Sequence, residues 1–180
     1  MTNRTHIGRI AVTALLGAGL LAGSSAGPAP AAVSHIPDSA TTAPKTVTRN
    51  PANPPIVITS RAGRHSGYDR FVIEMRGKAP GYRIRYVTTP RYDASGNRIP
   101  IHGNAYLLIV LTPANAHNSA GTVTYTGPRL RTVGLPTIKS FALAGDFEAH
   151  VSFALALRKK ARFHVGELRN PRRLYVDVAH

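Results

Sequence analysis

Short segments in which apolar and polar residues alternate recur along this chain, and they constrain its fold more than any other feature. In residues 70–75, Phe71, Ile73 and Met75 fall on one face of an extended segment. A two-residue period over four to eight residues indicates a β-strand with one buried face. About nine such segments are separated by turns rich in Gly, Pro and Asn, a spacing typical of an all-β sandwich or a small barrel.

Two stretches of the chain share the same order of segments. Residues 55–87 and residues 136–168 each begin at a proline and contain a strand, a glycine-containing turn, a strand, a basic turn and a third strand. Similarity in order of this kind indicates two related structural units. We therefore expect two small related antiparallel sheets, one from each half.

The N-terminal third differs in composition. Arg4 and Arg9 precede an uncharged apolar run at residues 10–23, and small residues and prolines follow. This pattern predicts a secretory signal peptide over residues 1–32. The apolar run is too short to be retained as a transmembrane anchor, which needs about 20 apolar residues. Residues 33–54 are rich in Pro, Thr, Ala and Asn and predict a disordered linker. The mature chain is expected to be secreted and not transmembrane.

The net charge and the cysteine content limit the kinds of partner and site that the chain can have. The chain has 23 Lys and Arg against 8 Asp and Glu, a formal charge of +15, and it has no cysteine. The absence of cysteine excludes a disulfide scaffold and a thiolate metal site. The positive charge favours anionic partners and says little about the fold. No nucleic-acid-binding motif is present, and export argues against nucleic acid as the partner.

The final strands carry a recognisable pattern. Residues 161–178, ARFHVGELRNPRRLYVDV, contain an aromatic-led strand, a turn with Asn-Pro-Arg and a strand reading Leu-x-Val-Asp-Val. This motif and the order of the earlier segments resemble the AMIN-like domain of secreted actinobacterial proteins over residues 55–180. The resemblance implies a β-sandwich of two related sheets and a non-catalytic role in the cell envelope. By analogy with the family, this role would be targeting to the cell wall.

Clusters of arginine supply the candidate binding residues. Arginine forks pair with phosphate and carboxylate groups, which wall polymers carry. The competing interpretation is a solvated basic surface that keeps the domain soluble. The residues predicted to contact a cell-wall polymer are Arg83, Arg85, Arg169, Arg172 and Arg173.

Catalytic and metal-binding patterns are weak by comparison. The seven histidines of the mature chain show no metal-ligand spacing, and no serine lies in a nucleophile elbow. No enzymatic activity, cofactor or metal is therefore predicted; an unrecognised hydrolase would need carboxylates or a Ser/His pair that converge in a pocket. Tyr82 and Tyr86 alternate with arginines and are expected to face the core. Asp177 is expected to pair with Arg173 or across the strands.

The sequence thus predicts a secreted, non-enzymatic, cell-wall-associated domain. Its partner would be peptidoglycan or an anionic wall polymer. The alternative is an interaction module that docks an envelope protein through an exposed sheet edge.

Overall fold

The computed structural model describes residues 35–180, and these residues form strands and loops without a helix. The predicted signal peptide, residues 1–32, lies outside the described residues. No helical segment with the length and hydropathy of a membrane span occurs within residues 35–180. The strands are β1 (Lys45–Val47), β2 (Ile56–His65), β3 (Tyr68–Arg76), β4 (Gly81–Val87), β5 (Ala105–Thr112), β6 (Leu130–Thr132), β7 (Ile138–Phe147), β8 (His150–Leu157), β9 (Phe163–Leu168) and β10 (Arg172–Ala179).

The strands form two antiparallel sheets, which confirms the predicted all-β sandwich. One sheet has the order β1-β4-β5-β8-β7-β6, and the other has the order β2-β3-β10-β9. The expectation that each half of the chain supplies one sheet is wrong. The hairpin β2–β3 from the first half pairs with the hairpin β9–β10 from the second, with Phe71 opposite Val176. Each half instead contributes one hairpin to each sheet, because the apolar faces of β3 and β10 are both buried at the centre of the four-stranded sheet.

The main core lies between the sheets and is centred on aromatic side chains. Phe71 of β3 is fully buried, and its ring centroid lies 5.0 Å from Phe141 of β7 and 5.6 Å from Phe153 of β8. Truncating a buried phenylalanine to alanine costs about 3–5 kcal/mol. This cluster therefore holds the two sheets face to face.

A second apolar cluster covers the outer face of the six-stranded sheet. Ile99 and Ile101, in the loop between β4 and β5, are buried against four alanines of β7 and β8. This layer explains why β8 is buried on both faces from Val151 to Leu157. Residues 105–112, a continuous apolar run in the sequence, also form a strand with buried residues on both faces, as that run predicts.

Residues 35–49, predicted as part of the disordered linker, are instead packed against both sheets. Thr41 forms a bridge with Phe163 of β9, and β1 then pairs with β4, with Thr46 opposite Arg83. Ile36 is buried near Tyr68. We call residues 35–49 the N-terminal strap. Its few apolar residues are too widely spaced for a periodic signal, so composition alone indicated disorder.

Residues 122–126, Thr-Val-Thr-Tyr-Thr, have the alternation and residue types of a short strand but form a loop with one isolated bridge between His117 and Val123. Their alternation has another cause, because Tyr125 is buried and its hydroxyl lies 2.7 Å from that of Ser60. Burial raises the pKa of Tyr125, and the hydrogen bond with Ser60 opposes that effect. The edge strand in this region is β6, whose three residues are all exposed.

The predicted orientation of the β4 tyrosines is confirmed. Tyr82 is buried, and Tyr86 packs against the main core. The Tyr86 hydroxyl donates to the Ala161 carbonyl at 2.6 Å and accepts from the Ala161 amide at 3.0 Å. Burial raises the pKa of both tyrosines. The opposite face of β4 therefore carries Arg83, which is exposed, and Arg85, which is half-buried.

Candidate anion-binding site

One end of the four-stranded sheet carries an open depression of about 660 Å³ that we call the basic depression. Three segments meet there: the end of the N-terminal strap and the two residues after it, the β3–β4 turn, and the β9–β10 hairpin. The lining residues are Arg49, Asn50, Pro51, Lys78, Ala79, Glu167, Arg169 and Arg172.

Local sequence explains how the two turns come together. Pro171 has no amide hydrogen for a sheet ladder, and β10 begins directly after it at Arg172. In the β3–β4 turn, Gly77 has a φ of 99°, and a Cβ there would lie 3.3 Å from the Cα of Pro55. Glycine is favoured where the left-handed region and a close backbone approach are both required. Arg172 and Lys78 are thereby placed beside one another at the sheet end.

Hydrogen bonds to backbone carbonyls orient two of the arginines. Arg172 donates from Nε to the Gly77 carbonyl at 3.1 Å, and its two terminal nitrogens have no hydrogen-bond partner within residues 35–180. Arg49 donates to the Pro80 carbonyl at 3.1 Å and pairs with Glu167 at 2.9 Å. The guanidinium of Arg172 is therefore held in place while its fork stays available to a ligand.

The charges of the lining do not balance. Four cationic side chains, Arg49, Lys78, Arg169 and Arg172, meet one carboxylate, Glu167. Glu167 is paired with Arg49, and the other three cations form no salt bridge within residues 35–180. An excess of three positive charges in one concave surface attracts an anion with several charged oxygens, such as a phosphate or a polymer carrying carboxylates.

The structure brings together three of the five predicted contact residues. Arg169 and Arg172 line the basic depression, and Arg173 lines a very small adjoining cavity with Arg49 and Arg172. Arg173 also donates from Nε to the Pro171 carbonyl at 3.3 Å.

Arg83 and Arg85 lie elsewhere, on the outward face of β4 in the other sheet. Arg85 lines a separate depression that includes Lys160. The two arginines of β4 and the arginines of the hairpin therefore cannot be treated as one site.

Sequence reasoning missed Arg49, Asn50 and Lys78. Lys78 follows a turn glycine and could have been noted as a basic turn residue. Arg49 had no local signal, because it lies in a segment whose composition predicts disorder. Its place at the depression depends on the pairing of the strap with β4.

Another arginine, on the outer face of the same sheet, has a different environment. Arg70 donates to both carboxylate oxygens of Asp177, at 2.6 and 2.8 Å, and its guanidinium lies 4.0 Å from the ring centroid of Tyr175. The hydrogen bond with Asp177 raises the pKa of Arg70. The predicted cross-strand pairing of Asp177 is confirmed, but its partner is Arg70 and not Arg173. Arg70 is engaged by the fold itself.

No group of three or more His, Asp or Glu side chains with metal-binding geometry occurs within residues 35–180. Asp146 and Glu148, two carboxylates close together in the sequence, have separate environments. Asp146 contacts His117, whereas Glu148 is exposed in the β7–β8 turn. The absence of enzymatic activity stays a prediction.

Comparison with known proteins gives one match. The sequence model of the AMIN-like domain family matches residues 55–180, the range over which the sequence motifs resemble that domain. No curated protein and no solved structure matches the chain significantly.

Proposed function

Because the chain belongs to the AMIN-like domain family, whose members are associated with the cell envelope, we propose that it is a secreted, non-enzymatic domain that binds an anionic polymer of the cell wall. The observation that carries this proposal is the basic depression, where Lys78, Arg169 and Arg172 converge without salt-bridge partners within the described residues. A polymer with repeated phosphates or carboxylates would satisfy several of these cations at once.

The geometry favours multivalent contact over a deep pocket. The depression is open, and its lining is built from turns and not from a cavity between the sheets. Each exposed ion pair contributes only about 0.2–1 kcal/mol. Affinity would therefore come from several repeating units engaged along one chain, since linked weak contacts add avidity.

The test is co-sedimentation of the purified protein with isolated cell-wall sacculi over a range of salt concentrations. We expect binding at low ionic strength and release at high ionic strength, because salt screens contacts between exposed charges. Protein that stays in the supernatant at low salt would refute the proposal.

A second candidate function, docking of an envelope protein, is favoured by the open side of the sandwich. Residues 59–65 of β2 pair only with β3, and β6 pairs only with β7, within residues 35–180. Ala62 and residues 131–133 line a shallow depression at this side. An unpaired strand edge can accept an extended segment of another protein. Such docking depends on backbone hydrogen bonds, so we expect it to persist at high salt and to be independent of Arg172.

A further inference from the structure

A second depression, of about 670 Å³, lies against the last residues of β7 and shares no residue with the basic depression. We call it the β7 cleft. Its walls come from the loop at residues 92–95, the loop at residues 117–123, Arg129, and residues 143–146 of β7. Its volume is within the range of about 300–1,000 Å³ that small-molecule sites occupy.

An oriented histidine lies in this cleft. The Nδ1 atom of His117 is 2.7 Å from Oδ2 of Asp146, and Oδ1 of Asp146 accepts from the Ala116 amide at 2.9 Å. Asp146 therefore holds both the backbone of the loop, at Ala116, and the imidazole ring of His117. With Nδ1 donating to the carboxylate, the neutral ring keeps Nε2 as a hydrogen-bond acceptor. Nε2 has no partner within residues 35–180, and His117 is 35 % exposed at the cleft.

The remaining walls combine apolar and polar surface. Val123 is an exposed apolar residue, at 57 %, and Tyr92, which also lines the cleft, is half-buried. The hydroxyl of Ser95 accepts from the Asn97 amide at 3.3 Å, which leaves its own hydrogen free to donate. The guanidinium of Arg129 supplies further donors.

The net charge of its lining distinguishes this cleft from the basic depression. Its lining contains one arginine and one aspartate, so the full charges cancel before His117 is counted. The lining therefore offers donors and acceptors in a mixed array beside apolar surface. A pyranose ring has the complementary chemistry, because it carries hydroxyl groups around its rim and C–H bonds on its faces.

We infer that the β7 cleft binds a neutral pyranose unit of a polysaccharide. Nε2 of His117 accepts a hydrogen bond from a sugar hydroxyl, Arg129 and Ser95 donate to sugar oxygens, and Tyr92 and Val123 contact a face of the ring. The domain would then contact the wall twice, through its anionic groups at the basic depression and through its neutral sugars here.

The test is titration of the isotope-labelled protein with neutral oligosaccharides, followed through backbone amide chemical shifts in NMR spectra. Chitotetraose, cellotetraose and maltotetraose serve as probes, and glucuronic acid serves as a charged comparator. Ser95→Tyr places a bulky side chain at an exposed wall position, and His117→Ala removes the acceptor. Arg172→Ala is the control from the other depression.

We expect at least one neutral probe to shift the amides of residues 92–95 and 117–123, with a Kd on the order of 1 mM. His117→Ala should weaken binding about threefold to tenfold. Ser95→Tyr should abolish it, whereas Arg172→Ala and high salt should leave it unchanged.

Three results would overturn the inference: no cleft shifts with any neutral probe, equal binding by Ser95→Tyr, or binding of glucuronic acid alone that high salt abolishes. None of these bears on the basic depression, whose binding to wall polymer is salt-sensitive and depends on Arg172. The two proposals can therefore fail separately.

Discussion

Two arginines on adjacent strands of the four-stranded sheet, Arg70 of β3 and Arg172 of β10, illustrate how the same side chain takes different roles. Arg70, on the outer face, donates to both oxygens of Asp177 and stacks on Tyr175. Arg172, at the sheet end, is held only through Nε, by the Gly77 carbonyl. A ligand would have to displace Asp177 from Arg70, but it meets an available fork at Arg172. Local partners, and not the number of arginines, therefore decide which basic residues can bind.

Removing the carboxylate from the sheet face should have the largest effect on stability. Asp177→Ala leaves Arg70 without its partner, and removing one member of a buried ion pair costs about 3–5 kcal/mol. Since the Arg70 side chain is 26 % exposed, solvent screening reduces the expected loss to about 2–3 kcal/mol. Denaturant unfolding measures it. Arg172→Ala is the matched control, with a change below about 0.5 kcal/mol; equal losses in the two variants would remove the distinction between them.

The N-terminal strap links the two regions, because Ile36 packs near Tyr68 and Arg49 lines the basic depression. Ile36→Ala should lower the free energy of unfolding by about 2 kcal/mol, the low end for a buried isoleucine, since Ile36 is 9 % exposed. Thermal or urea unfolding would show this, with the exposed Thr46→Ala as a control that changes little. An unchanged stability of Ile36→Ala would mean that the strap does not contribute to the fold.

Alkaline pH should lower the stability of the fold without changing the charge of Arg70 or Arg172. Burial raises the pKa of Tyr82, Tyr86 and Tyr125 above the ordinary value of 10.0. The unfolded chain therefore releases these protons first. The stabilising effect is complete below about pH 10 and is lost as pH rises through the higher folded-state values, while arginine stays charged.

The expected slope is at most about 1.4 kcal/mol per pH unit for each proton released on unfolding. Unfolding free energies measured from pH 8 to 11 would show the decline. Tyr125→Phe should make it shallower, and an identical decline in that variant would exclude Tyr125 as a source.

A single lysine gives the smallest expected effect. Lys78→Ala removes one of the three cations of the basic depression that lack a salt bridge in the described chain. Since one exposed ion pair is worth at most about 1 kcal/mol, binding to sacculi should weaken by no more than about fivefold. Quantitative co-sedimentation at low salt measures the change, with Lys45→Ala on the exposed strand β1 as the control. Equal weakening by both lysine variants would indicate a diffuse effect of net charge.

The sequence predicted the parts of the molecule that depend on local pattern. Alternation identified β3 and β4 and the buried faces of Ile73 and Tyr82, because a strand next to a core imposes a two-residue period. The Asn170-Pro171 turn was likewise readable, since proline ends a ladder. Arg169 and Arg172 flank that turn, so their proximity followed from it.

Features that depend on distant pairing were not predictable in this way. Arg49 reaches the basic depression only because β1 pairs with β4, and three strand residues give no usable period. The assignment of hairpins to sheets also failed, since the pairing of β3 with β10 joins residues about a hundred positions apart. Asp177 could be assigned a cross-strand partner, but the identity of that partner required the register.

Sacculus co-sedimentation of two charge-matched double variants at low salt tests most directly whether the basic depression is the binding site. Arg169→Ala/Arg172→Ala removes two cations from the basic depression, and Arg83→Ala/Arg85→Ala removes two from the outward face of β4. If the basic depression is the binding site, the first variant should bind at least about tenfold more weakly than the second, a difference of about 1.4 kcal/mol. Equal binding by the two variants would mean that the basic depression is not the binding site and that wall association depends on net charge alone.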